Sequence, residues 1–392
     1  MKEDILIITN YYPPETGAAS NRISQLAEGL AEKGAKVGIL TPLPNYPTGK
    51  IFDNFKGKIR NPESVNNVSI YRLWIYPSNS KNKILRLFAM LSYSFSLMFF
   101  IVKNRIPKTV IIQSPPLLVA FTSILFLRSK KRKLVLNVSD LWPLAGLELN
   151  VLKKNYAYKI LEKIECFNYK NADLILGQSN EILSHVKSLF PEKDTFLYRN
   201  YPKVKVDSTF QSNKENPKIR IVYAGLLGVA QGIYKLIESI ELNGFEFHIY
   251  GNGVDKIHIE NYIANNPEKQ IIYHGEIARD TLNKVLPSYD IALIPLVNRI
   301  YGSVPSKIFE LAYLGLPVLY FGGGEGEKII TNNHLGWVVE AGNYAALNEQ
   351  LQKLKKSSIT NEKRVLIQKK ALEEFNLDKQ IDDLSNKLFP HP

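Results

Sequence analysis

The chain has 392 residues, with 50 Lys and Arg against 37 Asp and Glu, a net charge of +13 and an apolar share of 45%. That length suggests two domains, and the apolar share suits a globular protein that can bury sizeable cores. A single cysteine, Cys166, excludes an internal disulfide framework and is compatible with a reducing compartment.

Two acids, Glu3 and Asp4, precede the first apolar run, and no small-residue cleavage site follows, which argues against a signal peptide. Residues 5–9 read as a buried parallel strand, followed by a loop over 10–20 that carries Pro13, Pro14 and Gly17. Ile23, Leu26, Ala27, Leu30 and Ala31 then recur at helical spacing until Gly34, and 37–40 is a second strand. The alternation resumes with a strand at 109–113, a helix near 117–127, a strand at 134–138, a helix at 152–171 and a strand at 174–176. Residues 202–218 are polar and poorly periodic and read as a linker. A second series has strands at 219–224, 245–250, 271–274, 291–295 and 317–321, with helices between them that include 233–240 and 307–314. Strands alternating with helices imply a parallel sheet covered on both faces. The expected class is therefore α/β with two Rossmann-like domains, 1–202 and 203–375, facing across a cleft. A C-terminal helix, 376–392, has a return to the first domain as one course open to it. A cleft between two such halves is a common ligand site.

The charge is unevenly placed. Residues 1–200 hold 28 basic against 15 acidic residues, whereas 201–392 hold 22 of each, so the whole excess lies in the first half. Such asymmetry points to nucleic acid, an anionic membrane or phosphate-bearing ligands. Residues 84–102 are almost wholly apolar or aromatic, flanked by Lys81, Lys83, Lys103 and Arg105 and interrupted by Arg86. Their number approaches a bilayer span, but charge at both ends and within favours a helix lying in the interface, with Leu87, Phe88, Phe95, Phe99 and Phe100 towards lipid. A buried domain helix is the alternative. Arg128, Lys130, Lys131, Arg132 and Lys133 add attraction for anionic headgroups. Neither an aromatic-interleaved basic strand nor a recognition helix is present, so a nucleic-acid partner is not expected.

The sharpest motif runs from Val304 through Ser306, Lys307 and Glu310 to Gly315 and Val318, and reads as loop, helix, turn and strand. Ser306 is placed to cap the helix, whose amino end suits a diphosphate. Glu310, one turn on, can accept two hydrogen bonds from a ribose diol. An ordinary capped helix with a solvated Glu fits the same spacing. Asp140 ends a strand just before Trp142 and Pro143, at the carboxyl edge where α/β ligands bind, although a helix-capping Asp reads identically. All six histidines lie at or beyond His185, so none in the first 184 residues serves as a base; His334 fits a surface loop. The G-x-G at Gly251 and Gly253 is weak alone, and 322–327 reads as a flexible turn. No Asp-x-Asp and no Cys/His metal spacing occurs.

Pro305-Ser-Lys-Ile-Phe-Glu310 with Gly315-Leu-Pro-Val318 resembles the donor-site helix of the family 4 glycosyltransferases. Asn10-Tyr-Tyr-Pro-Pro-Glu-Thr-Gly17 through Asn21 and Arg22 resembles that family's first loop. Asp140-Leu-Trp-Pro143 is similar to a motif of its bacterial surface-polysaccharide branch, near the N-acetyl-L-fucosamine transferases. The resemblance spans nearly the whole chain. It implies a GT-B fold, a nucleotide-sugar donor linked to UDP, a lipid-diphosphate-linked saccharide acceptor, retention of configuration, and no cofactor or metal. It also implies a cytoplasmic enzyme peripheral to the inner face of the cell membrane. By the same likeness, Gly17, Gly225, Gly228, Gln231, Tyr250, Gly275, Arg299, Ser303, Ser306, Lys307 and Glu310 belong to the donor, with the acceptor as the alternative for Gly17. Asn21, Arg22, Asp140 and Trp142 belong to the acceptor, and catalysis to Asp140, Lys307 and Glu310. The sequence departs from the family pattern in three places. Gly302 stands eight residues before Glu310 where a second carboxylate is common, and Leu226 and Gln231 stand where cations are common. The diphosphate charge then falls to Lys307 and backbone N–H groups, with Arg299 or Arg22. A GT-B epimerase acting on the same donor without an acceptor, or a non-catalytic nucleotide-sugar-binding scaffold, are the rival readings.

Overall fold

A computed structural model describes residues 1–57, 63–80, 82–203 and 217–389, without the side chains of residues 83 and 86. Most of the linker and the charges of Lys81, Lys83 and Arg86 thus lie outside the described residues. The chain divides into two compact units, Met1–Asn200 with Leu377–Pro392, and Tyr201–Asn376.

The first unit runs β1 (Ile5–Ile8), α1 (Ala18–Glu32), β2 (Val37–Pro42), β3 (Glu63–Val65), β4 (Val68–Leu73), α2 (Lys83–Lys103) and β5 (Thr109–Ser114). It continues with α3 (Leu117–Leu127), β6 (Lys133–Val138), α4 (Leu144–Glu148), α5 (Tyr156–Asn171), β7 (Leu174–Gly177), α6 (Asn180–Leu189) and β8 (Asp194–Leu197). The strands form one eight-stranded sheet in the order β3-β4-β2-β1-β5-β6-β7-β8. All its pairs are parallel except β3 with β4. Ile5 at the centre pairs with Val37 on one side and Thr109 on the other. Every residue of β1, β2, β5 and β7 is buried, which explains the apolar runs at 5–8, 39–40, 110–112 and 174–176. Strands β4 and β8 lie towards the edges and are only partly buried.

The second unit runs β9 (Ile219–Ala224), α7 (Ile233–Ser239), β10 (Phe245–Tyr250), α8 (Lys256–Asn265), β11 (Ile271–Gly275), α9 (Arg279–Val285) and β12 (Ile291–Pro295). Next come α10 (Lys307–Tyr313), β13 (Val318–Phe321), α11 (Glu325–Asn332), β14 (Gly336–Val339), α12 (Tyr344–Lys353) and α13 (Asn361–Glu374). Its six-stranded parallel sheet has the order β11-β10-β9-β12-β13-β14, with one apolar core on each face. The stretch 322–327, read from the sequence as a flexible turn, instead leads into α11, with Glu325 buried in its first turn.

The last helix, α14 (Leu377–Leu388), belongs to the first unit. Its buried residues Leu377, Ile381, Leu384 and Leu388 recur at helical spacing. Gly29 of α1 admits it closely, since a Cβ there would meet Ile381 at 3.0 Å. Gln380 fixes its register by accepting from the Arg199 N–H at 2.8 Å and donating to the Arg199 carbonyl at 3.0 Å.

Candidate active site

In the first unit the central strands end side by side at their carboxyl edge, where α/β sheets bind ligands. Asp140 lies two residues beyond β6, and burial pushes its carboxyl up to about 6 against the opposing pull of Arg22. Arg22 is only 2% exposed. Its Nη2 donates to Asn137 Oδ1 and to the Tyr198 carbonyl, both at 2.8 Å, and its Nη1 donates to Gln178 Oε1 at 3.1 Å. Burial lowers this guanidinium to about 10. Arg22 was expected to touch the acceptor; it instead ties α1 to the ends of β6, β7 and β8, and reaches Asp140 through its field. A helical period carried the signal, because Arg22 stands four residues before Leu26 and eight before Leu30, both buried. Asn137 Nδ2 donates to Gln113 Oε1 at 2.7 Å, and Gln113 Nε2 donates to Ser139 Oγ at 2.8 Å, which extends the network to the residue before Asp140. Trp142 lies in the turn before α4, against Gly146, where a Cβ would meet its ring at 2.6 Å.

Gly17 occupies the N-cap of the 15-residue α1, with no side-chain cap and no acid in the first turn. It is exposed at φ +150, and nothing lies within 4 Å of a Cβ built there. Its carbonyl accepts the Asn21 N–H at 3.0 Å. The loop before it is held by Glu15, a residue the sequence reading missed. Buried Glu15 accepts the N–H groups of Asn45 and Tyr46 at 2.7 and 2.8 Å through Oε1, and that of Tyr12 at 3.4 Å through Oε2. Its carboxylate thereby joins the loop after β1 to the loop after β2.

In the second unit, Gly225 follows β9 and Gly251 follows β10 in very close contact. A Cβ on Gly251 would fall 1.8 Å from the Gly225 carbonyl, and one on Gly253 would fall 2.2 Å from the Leu227 carbonyl. Only glycine permits this approach, which the bonds Gly225 N–H to Tyr250 O (3.0 Å) and Leu227 N–H to Asn252 O (2.9 Å) then secure. Tyr250 acts here through its carbonyl. Its side chain, expected at the donor, is buried, stacked on His274 at 4.4 Å and hydrogen-bonded to the Tyr289 hydroxyl at 2.8 Å. Gly275, at φ +76, accepts the Gly251 N–H at 2.9 Å. Gly228 accepts the Gln231 and Gly232 N–H groups at 3.1 and 3.2 Å, and the buried Oε1 of Gln231 has no hydrogen-bond partner among the described residues.

Lys307 opens α10 beside this loop, its Cε 3.2 Å from a Cβ built on Gly225. Burial lowers its ammonium pKa, opposed by Glu310 and reinforced by Arg279. Ser306 holds the N-cap position without a side-chain cap bond, contrary to the expectation from its spacing. The first-turn N–H groups of Ile308 and Phe309 already bond to Pro305 and Ser306 carbonyls, both at 3.1 Å, because the turn is tight. Glu310 Oε1 accepts from Arg279 Nη2 at 2.9 Å. Arg279 is a cation the sequence reading missed, since it starts a helix 31 residues upstream and only the sheet order brings it here. The turn after α10 is pinned by buried Arg364, which donates to the Gly315 carbonyl at 3.1 Å and to that of Pro287 at 2.8 Å. Arg299 is exposed, 5.7 Å from the Tyr301 ring centroid and close to Gly324. Ser303 donates its N–H to the Ile300 carbonyl at 3.1 Å. Among the described residues no three His, Cys, Asp or Glu gather as a metal site.

Helix α2 buries one face, on Ala89, Tyr93, Leu97 and Ile101, and its Tyr93 hydroxyl donates to the Thr9 and Leu40 carbonyls at 2.9 and 3.0 Å. The other face leaves Leu87, Phe88, Phe95 (57%) and Phe99 (46%) exposed. Phe100 differs from the expectation, being half-buried against Tyr71 at 5.8 Å. Among the described residues no helix is long and apolar enough to cross a membrane. Of the basic run 128–133, Arg132 and Lys133 are engaged at carbonyls, whereas Arg128, Lys130 and Lys131 are exposed.

Residues 17–197 match the family described as "Glycosyl transferase 4-like domain", and residues 205–373 match "Glycosyl transferases group 1". WcaI of Escherichia coli K12, whose name places it among colanic acid biosynthesis glycosyl transferases, is 22% identical over 333 residues, 79% of this chain and 81% of that protein. The sucrose-phosphate synthase of Thermosynechococcus elongatus has a similar structure, with a TM-score of 0.74 at 14% identity over 99% of both chains. Anabaena Alr3699/HepE, solved with UDP and glucose, gives a TM-score of 0.68 at 11% identity, over 99% of this chain and 100% of that one. With two glycosyltransferase families matched in chain order over nearly its whole length, each on its own parallel α/β unit, the chain belongs to the family 4 glycosyltransferases and is a transferase enzyme of GT-B fold.

Proposed function

We propose that this enzyme moves a sugar, with retention and without a metal, from a UDP-linked donor to a lipid-diphosphate-linked saccharide in surface polysaccharide synthesis. The observation that carries this reading is the Lys307, Glu310 and Arg279 constellation beside the glycine-closed loops of the second unit. WcaI carries polysaccharide synthesis in its name, and HepE was solved with UDP.

Leaving diphosphate charge is best met by fixed cations and dipoles in a water-poor site. Lys307 supplies such a charge, and its half-buried setting strengthens the attraction. Glu310 exchanges its bond with Arg279 for bonds from the ribose hydroxyls, which releases the guanidinium towards the phosphates. Asp140 orients the acceptor hydroxyl and assists removal of its proton, for which a pKa of about 6 is well placed. The enzyme works on the inner face of the cell membrane, held there by the exposed face of α2 and its basic neighbours.

Two variants test the assignment. Glu310→Ala should weaken UDP-sugar binding about tenfold or more by calorimetry, on the scale of lost charge-assisted hydrogen bonds. Asp140→Asn should leave that binding intact and cut turnover about 100-fold or more. Parent-like turnover in both would overturn the site. Sugar release from the donor without any lipid acceptor, with a changed stereocentre, would favour the epimerase.

A further inference from the structure

Strand β3 covers β4 only from Val68 to Ile70, so residues 71–74 have no further strand on that side among the described residues. There a groove of about 670 Å³ runs between β4 and α2, lined by Trp74, Phe95, Phe99, Phe100 and, at one end, Lys103 and Asn104. Several of its polar groups are engaged. Ser96 Oγ donates to the Trp74 carbonyl at 2.7 Å and Asn104 Nδ2 to that of Phe100 at 2.8 Å, while Arg72, which also lines the groove, spends Nη2 on the Pro13 carbonyl and Nε on Glu63 and keeps a buried Nη1 without a partner among the described residues. What remains is a largely aromatic groove with one exposed cation that has no ion pair among the described residues, Lys103, 6.0 Å from the Phe99 ring centroid. Arg105 is exposed two residues on.

We propose that this groove holds one acyl chain of an anionic phospholipid, with its phosphate on Lys103. The volume falls in the range of ordinary ligand pockets, the lining suits hydrocarbon, and the charge sits where an amphiphile's head must be. The occupant is a bilayer lipid rather than the acceptor's own chain because of where Lys103 stands. Arg105 lies by Met1, ahead of β1, whereas Asp140 lies beyond the end of β6. A phosphate on Lys103 is therefore at the opposite edge of the sheet from the carboxylate that an acceptor must reach. The inference rests on the membrane reading above and adds a discrete, saturable site to it.

The test uses Trp74, one of three tryptophans in the chain, and dioctanoyl phosphatidylglycerol below its micelle concentration. The full-length protein should show a saturable change in tryptophan emission that Trp74→Phe abolishes. Lys103→Glu should weaken the apparent affinity about tenfold or more, since reversing a headgroup contact removes one attraction and adds one repulsion. Ser96→Trp should block the groove, and a Trp74-independent readout, lipid retention in native mass spectrometry, should agree. Dioctanoyl phosphatidylcholine should bind more weakly. Tighter binding of farnesyl diphosphate than of the phospholipid would overturn the assignment in favour of the acceptor chain. No saturable signal, with vesicle sedimentation intact, would overturn the groove and leave the membrane reading standing. Loss of both would remove that reading as well.

Discussion

Asp140 carries opposing demands. Its carboxyl sits at about 6 in the folded chain against 3.8 for the free group, and burial is the main cause. Between those values the folded state holds more protons than the unfolded one, so stability falls as pH rises through that window. Above it the ionised group is destabilising in full, offset in part by Arg22. Asp140→Asn should therefore raise the unfolding free energy by about 1–3 kcal/mol at pH 8, and the gain should fade towards pH 4. Chemical denaturation at the two pH values measures this, and a loss of stability at pH 8 would show that Arg22 depends on the charge more than burial opposes it. Turnover of the parent should fall as pH drops below about 6, opposite in sign to the stability trend. Local spacing singled out Asp140, Lys307 and Glu310 but fitted a capping Asp and an ordinary capped helix equally, and the family resemblance supplied their expected roles. The pairing of Glu310 with Arg279 was not legible, because the partners lie on different helices and no sequence period links them.

At the scale of elements, the strands most legible in the sequence are those buried on both faces. Their apolar runs, such as Ile5 to Ile8 and Val110 to Ile112, leave little choice. Strands β3, β4 and β8 escaped notice because none is an unbroken buried apolar run: the edge strand β3 is exposed throughout, the edge strand β8 is at most partly buried, and β4 mixes buried with partly exposed positions. Helix α2 was legible as an apolar helix, but which residues face outward depended on Tyr93 anchoring it to the sheet. That distinction changes the experiment. Phe95→Ser with Phe99→Ser should release the enzyme from anionic liposomes in sedimentation assays, whereas Phe100→Ser should mainly lower the melting temperature, since its ring packs on Tyr71. Two exposed phenylalanines each contribute about 1–2 kcal/mol of apolar transfer, so the double change should weaken partitioning about 30-fold or more. Unchanged sedimentation would place the contact elsewhere.

At the scale of the molecule, the first unit is completed by the end of the chain. Deleting residues 377–392 uncovers the face of α1 around Gly29 and leaves Arg199 without its Gln380 bonds. Loss of several buried apolar side chains, at about 2 kcal/mol each, is comparable to the whole stability of a domain. The truncated enzyme should thus lose the melting transition of the first unit and keep that of the second, as resolved by calorimetry. A single unchanged pair of transitions would show that α14 is dispensable. The sequence reading located this helix and left its destination open, because its partners are remote in sequence: Arg199 lies 181 positions before Gln380, and Gly29 lies further still from Ile381.

Tyr201, the first residue of the second unit, packs its ring on Phe375, almost the last, at 5.7 Å, and on Phe309 at 5.0 Å. The two crossings of the chain are therefore neighbours, and residues 201–376 are built as a cassette spliced into the first unit between β8 and α14. Cuts at residues 201 and 376 leave the Tyr201, Phe309 and Phe375 cluster whole on one side and the Arg199–Gln380 bonds whole on the other, which gives evolution and the protein engineer the same pair of cutting points.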